Sequence, residues 1–257
     1  MMIMTRVIGI ISGKGGVGKT TVALNLGTIL SQYFKRNVTV VDCNITTSHL
    51  GLHLGVYNHP VTLNKALSGI SDIYDSYQHS SGMNVIPASM YLEDLKGVDI
   101  TKLRENIEKI FDRNDIIILD SGPGLGREAM ATLKASDEVM CIATPYVPSI
   151  IDTMRVHGII NEIGKEHLGI VLNMVNKEKY ELTKHEIEHL TGIPIISSIP
   201  YDKNVNKSLG LKVPVTVLDP KTAASKELFN LASSIIGEEY EVKLGFFGSL
   251  KRKLGFL

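Results

Sequence analysis

Short runs of apolar, mostly β-branched residues recur along this chain, separated by stretches in which apolar positions return every three or four residues. The runs read as strands over Val7–Ser12, Val38–Asp42, Asn84–Pro87, Ile116–Asp120, Glu138–Ala143, Gly169–Asn173 and Pro194–Ser198. The periodic stretches read as helices over Lys19–Phe34, Ile100–Phe111, Arg127–Ala135, Ser149–Glu162, Lys184–Leu190 and Pro220–Ile236. A run such as Asp115-Ile-Ile-Ile-Leu-Asp120 has no polar face, as expected of a strand covered on both sides. Alternation of strand and helix then predicts an α/β fold, a single doubly wound, mostly parallel sheet with helices on both faces. Residues 1–237 read as one domain. The composition changes after about Gly237, where an acidic patch from Glu238 to Glu241 gives way to a basic, aromatic tail. Residues 238–257 therefore read as a flexible linker and an amphipathic segment.

Composition narrows the function classes. Lys plus Arg and Asp plus Glu number 27 each, so no global field draws the chain to nucleic acid or membrane; such attraction needs a local cluster. The 2 cysteines, Cys43 and Cys141, are far apart and in no metal-ligand spacing, which fits a reducing cytoplasm. The N-terminal apolar run lacks a basic lead and passes directly into a glycine-rich loop, so it reads as a strand, not a signal peptide. No apolar stretch approaches the roughly 18 residues that span a bilayer. A cytoplasmic protein is expected unless something tethers it.

The glycine-rich loop carries the chemistry. Gly13-Lys-Gly-Gly-Val-Gly-Lys-Thr-Thr21 follows one expected strand and opens an expected helix, the context a phosphate-binding loop requires. Glycines let the backbone curl so that successive N–H groups of Gly13, Lys14, Gly15, Gly16, Val17, Gly18, Lys19, Thr20 and Thr21 point at phosphate oxygens. The helix N-terminus adds partial positive charge. Lys19 is placed to reach the β- and γ-phosphates, and the Thr20 hydroxyl to ligate Mg²⁺.

With its extra lysine near the start, Lys14-Gly-Gly-Val-Gly-Lys-Thr20 resembles the signature of the MinD/ParA family of deviant Walker A P-loop ATPases, over roughly residues 6 to 237. The resemblance implies ATP and Mg²⁺ as cofactors and an ATP-sandwich homodimer, in which Lys14 crosses to the phosphates held by the partner subunit. It makes Asp120-Ser-Gly-Pro-Gly124 the Walker B and switch II segment, with Asp120 holding the Mg²⁺ shell through water. It makes Asn173 an adenine-reading residue and places Pro200, Tyr201 and Asp202 around the base.

One position departs from the family. Asp42-Cys-Asn44 stands where members carry two aspartates one residue apart. Asp42 is kept and is expected to position Mg²⁺ and its waters. Asn44 replaces the aspartate that orients or activates the attacking water; an amide accepts a hydrogen bond but takes no proton. General-base contributions are about 10²–10⁴-fold, so slow hydrolysis and a long-lived ATP-bound dimer are expected. Lys14, Lys19, Asp42, Asn44 and Asp120 thus form the catalytic set, with Thr20, Asp42 and Asp120 around the metal. Ser48 and His49 read as solvated loop positions.

In the tail, Phe246, Phe247, Leu250, Leu254 and Leu257 fall within an arc of about 100° on a helix, with Lys251, Arg252 and Lys253 on the flanks and opposite side and Phe256 beside them. That is the pattern of an interfacial helix, whose basic residues gain about 1 kcal/mol each near an anionic surface. Its place and character resemble the membrane-targeting tail of the MinD branch, implying a chain that is peripherally membrane-associated in the ATP state and acts with a protein partner or cargo. A tail docked on its own domain is the rival for this segment.

Alternatives for the whole chain are a ParA-type nucleoid or DNA-partitioning ATPase, which needs a basic surface that the balanced core lacks, and a non-hydrolysing, ATP-locked scaffold. DNA is therefore not expected as a partner. An iron–sulfur carrier needs cysteine pairs and is excluded. His185 and His189 stand one turn apart among charged residues and read as a solvated face. Ser121 has no histidine partner for nucleophilic catalysis.

Overall fold

A computed structural model describes residues 5–75, the backbone of 77–78, and 81–239. In chain order the elements are β1 (Arg6–Ile11), α1 (Lys19–Gln32), β2 (Val38–Asp42), α2 (Leu50–Leu54), α3 (Leu63–Leu67), β3 (Tyr77–Gln78), β4 (Asn84–Ile86), α4 (Leu103–Glu108), β5 (Ile116–Asp120), α5 (Arg127–Ala135), β6 (Glu138–Ala143), α6 (Val147–Glu162), β7 (Glu166–Val175), α7 (Lys184–Thr191), β8 (Ile195–Pro200), α8 (Lys203–Leu211), α9 (Val215–Leu218) and α10 (Ala223–Ile236). One sheet runs in the order β3-β4-β2-β5-β1-β6-β7-β8. Its seven longer strands are parallel, and the two-residue β3 pairs antiparallel with β4 at the edge.

The continuous apolar runs are explained by burial on both faces. Along β1, Ile8 and Ile10 pack with α1 and α10, whereas Val7 faces the cluster built on α3 and α4, and Ile11 the cluster of α6 and α7. This is the doubly wound arrangement expected from the alternation. Parallel pairing sets Asp42 of β2 beside Asp120 of β5 in register, both at carboxyl ends of strands. Ligands of open α/β sheets bind in the crevice outside those ends.

The differences from sequence expectation have local causes. The segment expected as one helix from Ile100 to Phe111 is a 3₁₀ turn, the short α4 and a second 3₁₀ turn. Thr5 Oγ1 donates to the carbonyls of Phe111 and Asn114, and Asn114 Nδ2 donates to that of Ile110, so side chains occupy acceptors a longer helix would use. Helix α10 starts at Ala223 and not at Pro220 because Thr222 caps it, accepting the N–H of Ser225. Helix α6 starts two residues early, with Pro148 in its first turn, where a missing N–H costs nothing. Helices α2, α3, α8 and α9 and strand β3 were not expected; four are five residues or fewer, and α8 has polar residues over most of its length. Helix α10 closes on Gly237 in the left-handed conformation. The tail residues Phe246, Phe247, Leu250, Lys251, Arg252, Lys253, Leu254, Phe256 and Leu257 lie outside the described residues.

Candidate functional site

Strand β1 delivers the loop Gly13–Gly18 and α1 carries it away. Two glycines show why the sequence is so restricted. Gly18 has φ +93°, and a Cβ there would sit 2.2 Å from Asn173 Nδ2. Gly13 lies on the backbone of α6, where a Cβ would meet Asp152 Cβ at 2.5 Å and its carbonyl oxygen at 2.7 Å. The loop is therefore wedged between α6 and the end of β7.

Its two lysines have opposite fates. Lys19 is buried, and its Nζ donates to Ser12 Oγ at 2.8 Å, which in turn donates to the Lys14 carbonyl at 2.6 Å. Burial lowers the Lys19 pKa and the charge of Asp120 opposes that shift. Lys14 is exposed on the rim.

Beneath the loop stand the two carboxylates. Burial pushes Asp120 up to about 7, the neighbouring Asp42 adds to the rise, and the Thr20 hydroxyl and Lys19 oppose it. Burial likewise pushes Asp42 up to about 6, against the Ser48 hydroxyl and the N–H groups of Asn44 and Leu50. Thr20 Oγ1 donates to Asp120 Oδ2 at 2.6 Å, while the buried Oδ1 of Asp120 makes no hydrogen bond. A hydroxyl, an unsatisfied carboxylate oxygen and a second carboxylate in register are the donor set of a hard divalent cation that takes oxygen ligands and keeps waters. No group of three or more His, Cys, Asp or Glu that could hold a metal ion occurs among the described residues. His185 and His189 only stack, with ring centroids 6.4 Å apart.

The loop after β2 is ordered by its own side chains. Asp42 accepts from Asn44 N at 3.1 Å, Ser48 Oγ at 2.8 Å and Leu50 N at 3.2 Å. Ser48 is thus a carboxylate partner, correcting its reading as a solvated residue; His49 is exposed, as expected. Asn44 Nδ2 donates to the Thr47 carbonyl at 2.6 Å, and its Oδ1 accepts from Thr47 Oγ1 at 3.0 Å. Both ends of the Asn44 amide are consumed inside the loop. Burial, then Asp42, raises the Cys43 thiol pKa, and the side chain is inert.

Asn173 is brought to the loop, donating through Nδ2 to the Val17 carbonyl at 2.8 Å. Met174, at φ +59°, turns the end of β7 at this point. Pro200 ends β8, Tyr201 is half-exposed with its N–H on the Val175 carbonyl, and Asp202 caps α8 through Asn204 N at 2.9 Å. Ser121 Oγ donates to the Gly122 carbonyl and is not poised as a nucleophile. Sequence reasoning missed Ser12, the partner of Lys19, and Glu181, whose buried carboxylate gathers the N–H groups of Asn176 and Lys177 beside Asn173. It also missed Glu128, which bonds the N–H of Thr46. For Glu128 the one signal was an acidic residue in the first turn of a helix following the Asp120 loop.

Comparison with known proteins agrees with this geometry. Residues 8–215 match the CobQ/CobB/MinD/ParA nucleotide binding domain. An uncharacterized ATP-binding protein of Methanocaldococcus jannaschii is 34% identical, covering 94% of this chain and 92% of its own length. The septum site-determining protein MinD of Thermotoga maritima is 30% identical over 91% of this chain and 89% of its own length. The structure of the septum site-determining protein MinD from Pyrococcus horikoshii, complexed with Mg-ADP, superposes with a TM-score of 0.86 at 29% identity, covering 90% of this chain and 96% of that one. With its phosphate loop, paired carboxylates and parallel sheet, the chain belongs to the CobQ/CobB/MinD/ParA family of nucleotide-binding domains.

Proposed function

We propose that this chain is an ATP-dependent switch of the MinD kind: an ATPase that closes a homodimer on ATP, engages an anionic membrane surface through its tail and positions another cellular structure. The observation that carries the reading is the contrast between the two lysines of one loop. Lys19 is buried against Ser12, inside the loop where phosphates of the same subunit would lie, whereas Lys14 stands exposed on the rim and is available to a second copy. Beside it, α6 presents an exposed apolar stripe at helical spacing, Val147, Ile151 and Met154, suited to burial in such a dimer.

Lys19, now on Ser12, would hold the β- and γ-phosphates, and Thr20, Asp120 and Asp42 would hold Mg²⁺. Held there, the ion would supply positive charge against the phosphates. The N–H groups from Gly13 to Thr21 surround the phosphates, and Asn173, Pro200, Tyr201 and Asp202 border the base. Asn44, committed to Thr47, takes no proton from water, so turnover is slow and relies on positioning and charge. The same observation favours one second reading, a non-hydrolysing scaffold locked by ATP.

Light scattering with MgATP, MgADP and no nucleotide tests the switch. A dimer with ATP alone, lost in Lys14→Ala while nucleotide still binds, is the expected result; an ATP-bound monomer overturns it. Co-sedimentation with anionic liposomes, comparing the full chain with one ending at Gly245, tests the membrane arm. Pelleting that ignores the tail refutes that arm, and phosphate release separates slow enzyme from scaffold.

A further inference from the structure

Glu128 joins the two loops that border the carboxylates. It stands in the first turn of α5, and its Oε1 accepts the N–H of Thr46 at 2.9 Å. The same carboxylate lies over Gly122, where a Cβ would come within 2.4 Å of Glu128 Oε2 and 3.1 Å of its Cβ. One turn further along α5, Thr132 Oγ1 donates back to the Glu128 carbonyl at 2.8 Å. The base of that loop is fixed by the Asp42 carboxylate, and Asn44 and Thr47 close it internally. Thr46, exposed at its apex, is held from outside by Glu128.

We propose that Glu128 is a positioning residue that ties the segment after Asp120 to the loop after Asp42, so that a shift of one is passed to the other. The inference rests on the nucleotide-switch reading above and deepens it by naming how the two loops move together. The physical basis is steric and electrostatic at once. Gly122 packs so closely on Glu128 that it has no room to move toward α5 without displacing that side chain. Once that side chain is displaced, Thr46 loses its charged acceptor and the apex is released. Glu128 needs only to accept a hydrogen bond for this role and transfers no proton.

That requirement gives a test with Glu128→Ala and Glu128→Gln in the full chain. Hydrogen exchange of the Thr46 amide in the nucleotide-free protein is expected to be about three- to tenfold faster in Glu128→Ala, the effect of losing one such bond, and near wild type in Glu128→Gln, which keeps the acceptor. With MgATP, Glu128→Ala is expected to bind as wild type does but to turn over more slowly, and Glu128→Gln to restore turnover. Unchanged exchange at Thr46 in Glu128→Ala overturns the proposal. So does a Gln variant as slow as Ala with Thr46 fully protected, the mark of a proton-transfer role. A wild-type chain that binds MgATP without hydrolysing it refutes the enzymatic reading alone, and the exchange arm still decides the strap.

Discussion

Asp120→Asn is expected to stabilise the nucleotide-free protein while removing its capacity to hold a divalent cation with nucleotide. Asp120 is fully buried, and its pKa is pushed from 3.8 to about 7. The native state therefore binds more protons than the unfolded chain between these values. Its favourable contribution is complete below about pH 4 and is lost as pH rises through about 7. Three pH units at about 1.36 kcal/mol each make the charged form cost about 4 kcal/mol. Part of that belongs to repulsion from Asp42, and the asparagine keeps the Thr20 bond only as a neutral acceptor. A net gain of roughly 1–3 kcal/mol at pH 8 remains, or a rise in Tm of roughly 3–10 °C for a chain of this length. Thermal unfolding followed by circular dichroism at pH 8 and pH 5 measures it. The advantage of the variant is expected to shrink at pH 5 and to reverse with MgATP, because only the wild type then gains from binding. A variant melting at or below wild type at pH 8 without nucleotide refutes the reasoning, since it means the buried carboxylate is not a burden.

Other substitutions probe the loops and the far side of the sheet. Asn44→Asp sets a carboxylate oxygen against the Thr47 carbonyl, where Nδ2 now donates at 2.6 Å; faster proteolysis within residues 44–49 is expected, with about 1–3 kcal/mol of local destabilisation, and unchanged cleavage counts against it. Gly18→Ala meets both φ +93° and Asn173 Nδ2 at 2.2 Å, so nucleotide affinity is expected to fall more than tenfold, on the order of 1.4 kcal/mol or more, by calorimetry. His167, whose Nδ1 lies 2.6 Å from that of His157, is lowered to about 4 by burial and by the charge of His157. The unfolded chain then binds more protons from about pH 6.5 down to 4, so stability falls as pH drops through that window; His167→Gln is expected to flatten the dependence of urea midpoints between pH 7 and 5.

The strands and long helices were legible because burial on both faces writes itself into composition: Ile116–Asp120, with every residue buried, has its observed bounds in the sequence. Where the sequence misled, side chains from distant positions intervened. Nothing between Ile100 and Phe111 announces that Thr5, more than a hundred residues away, takes the Phe111 carbonyl. Helix α8 was missed because its capping depends on Asp202, a residue already assigned to the base.

The site divides along the same line. The phosphate loop was legible because its demands are local: glycines for backbone curvature, Lys19 and Thr20 at fixed steps from them, and a helix to follow. The pairing of Asp42 with Asp120 is non-local, yet each closes an apolar strand, and parallel register brings strand ends together. Ser48, Asn44 and Glu128 obey no such spacing. Their partners are set by how a seven-residue loop folds back on Asp42 and meets α5, and several geometries satisfy one sequence. Asn44 shows the consequence. In the sequence it stands where a base was expected; in the fold its amide donates to one Thr47 oxygen and accepts from another, which an aspartate cannot do. If the loop needs that staple, Asn44→Asp will not raise ATP turnover, because the shape of the loop matters as much as the charge at this position.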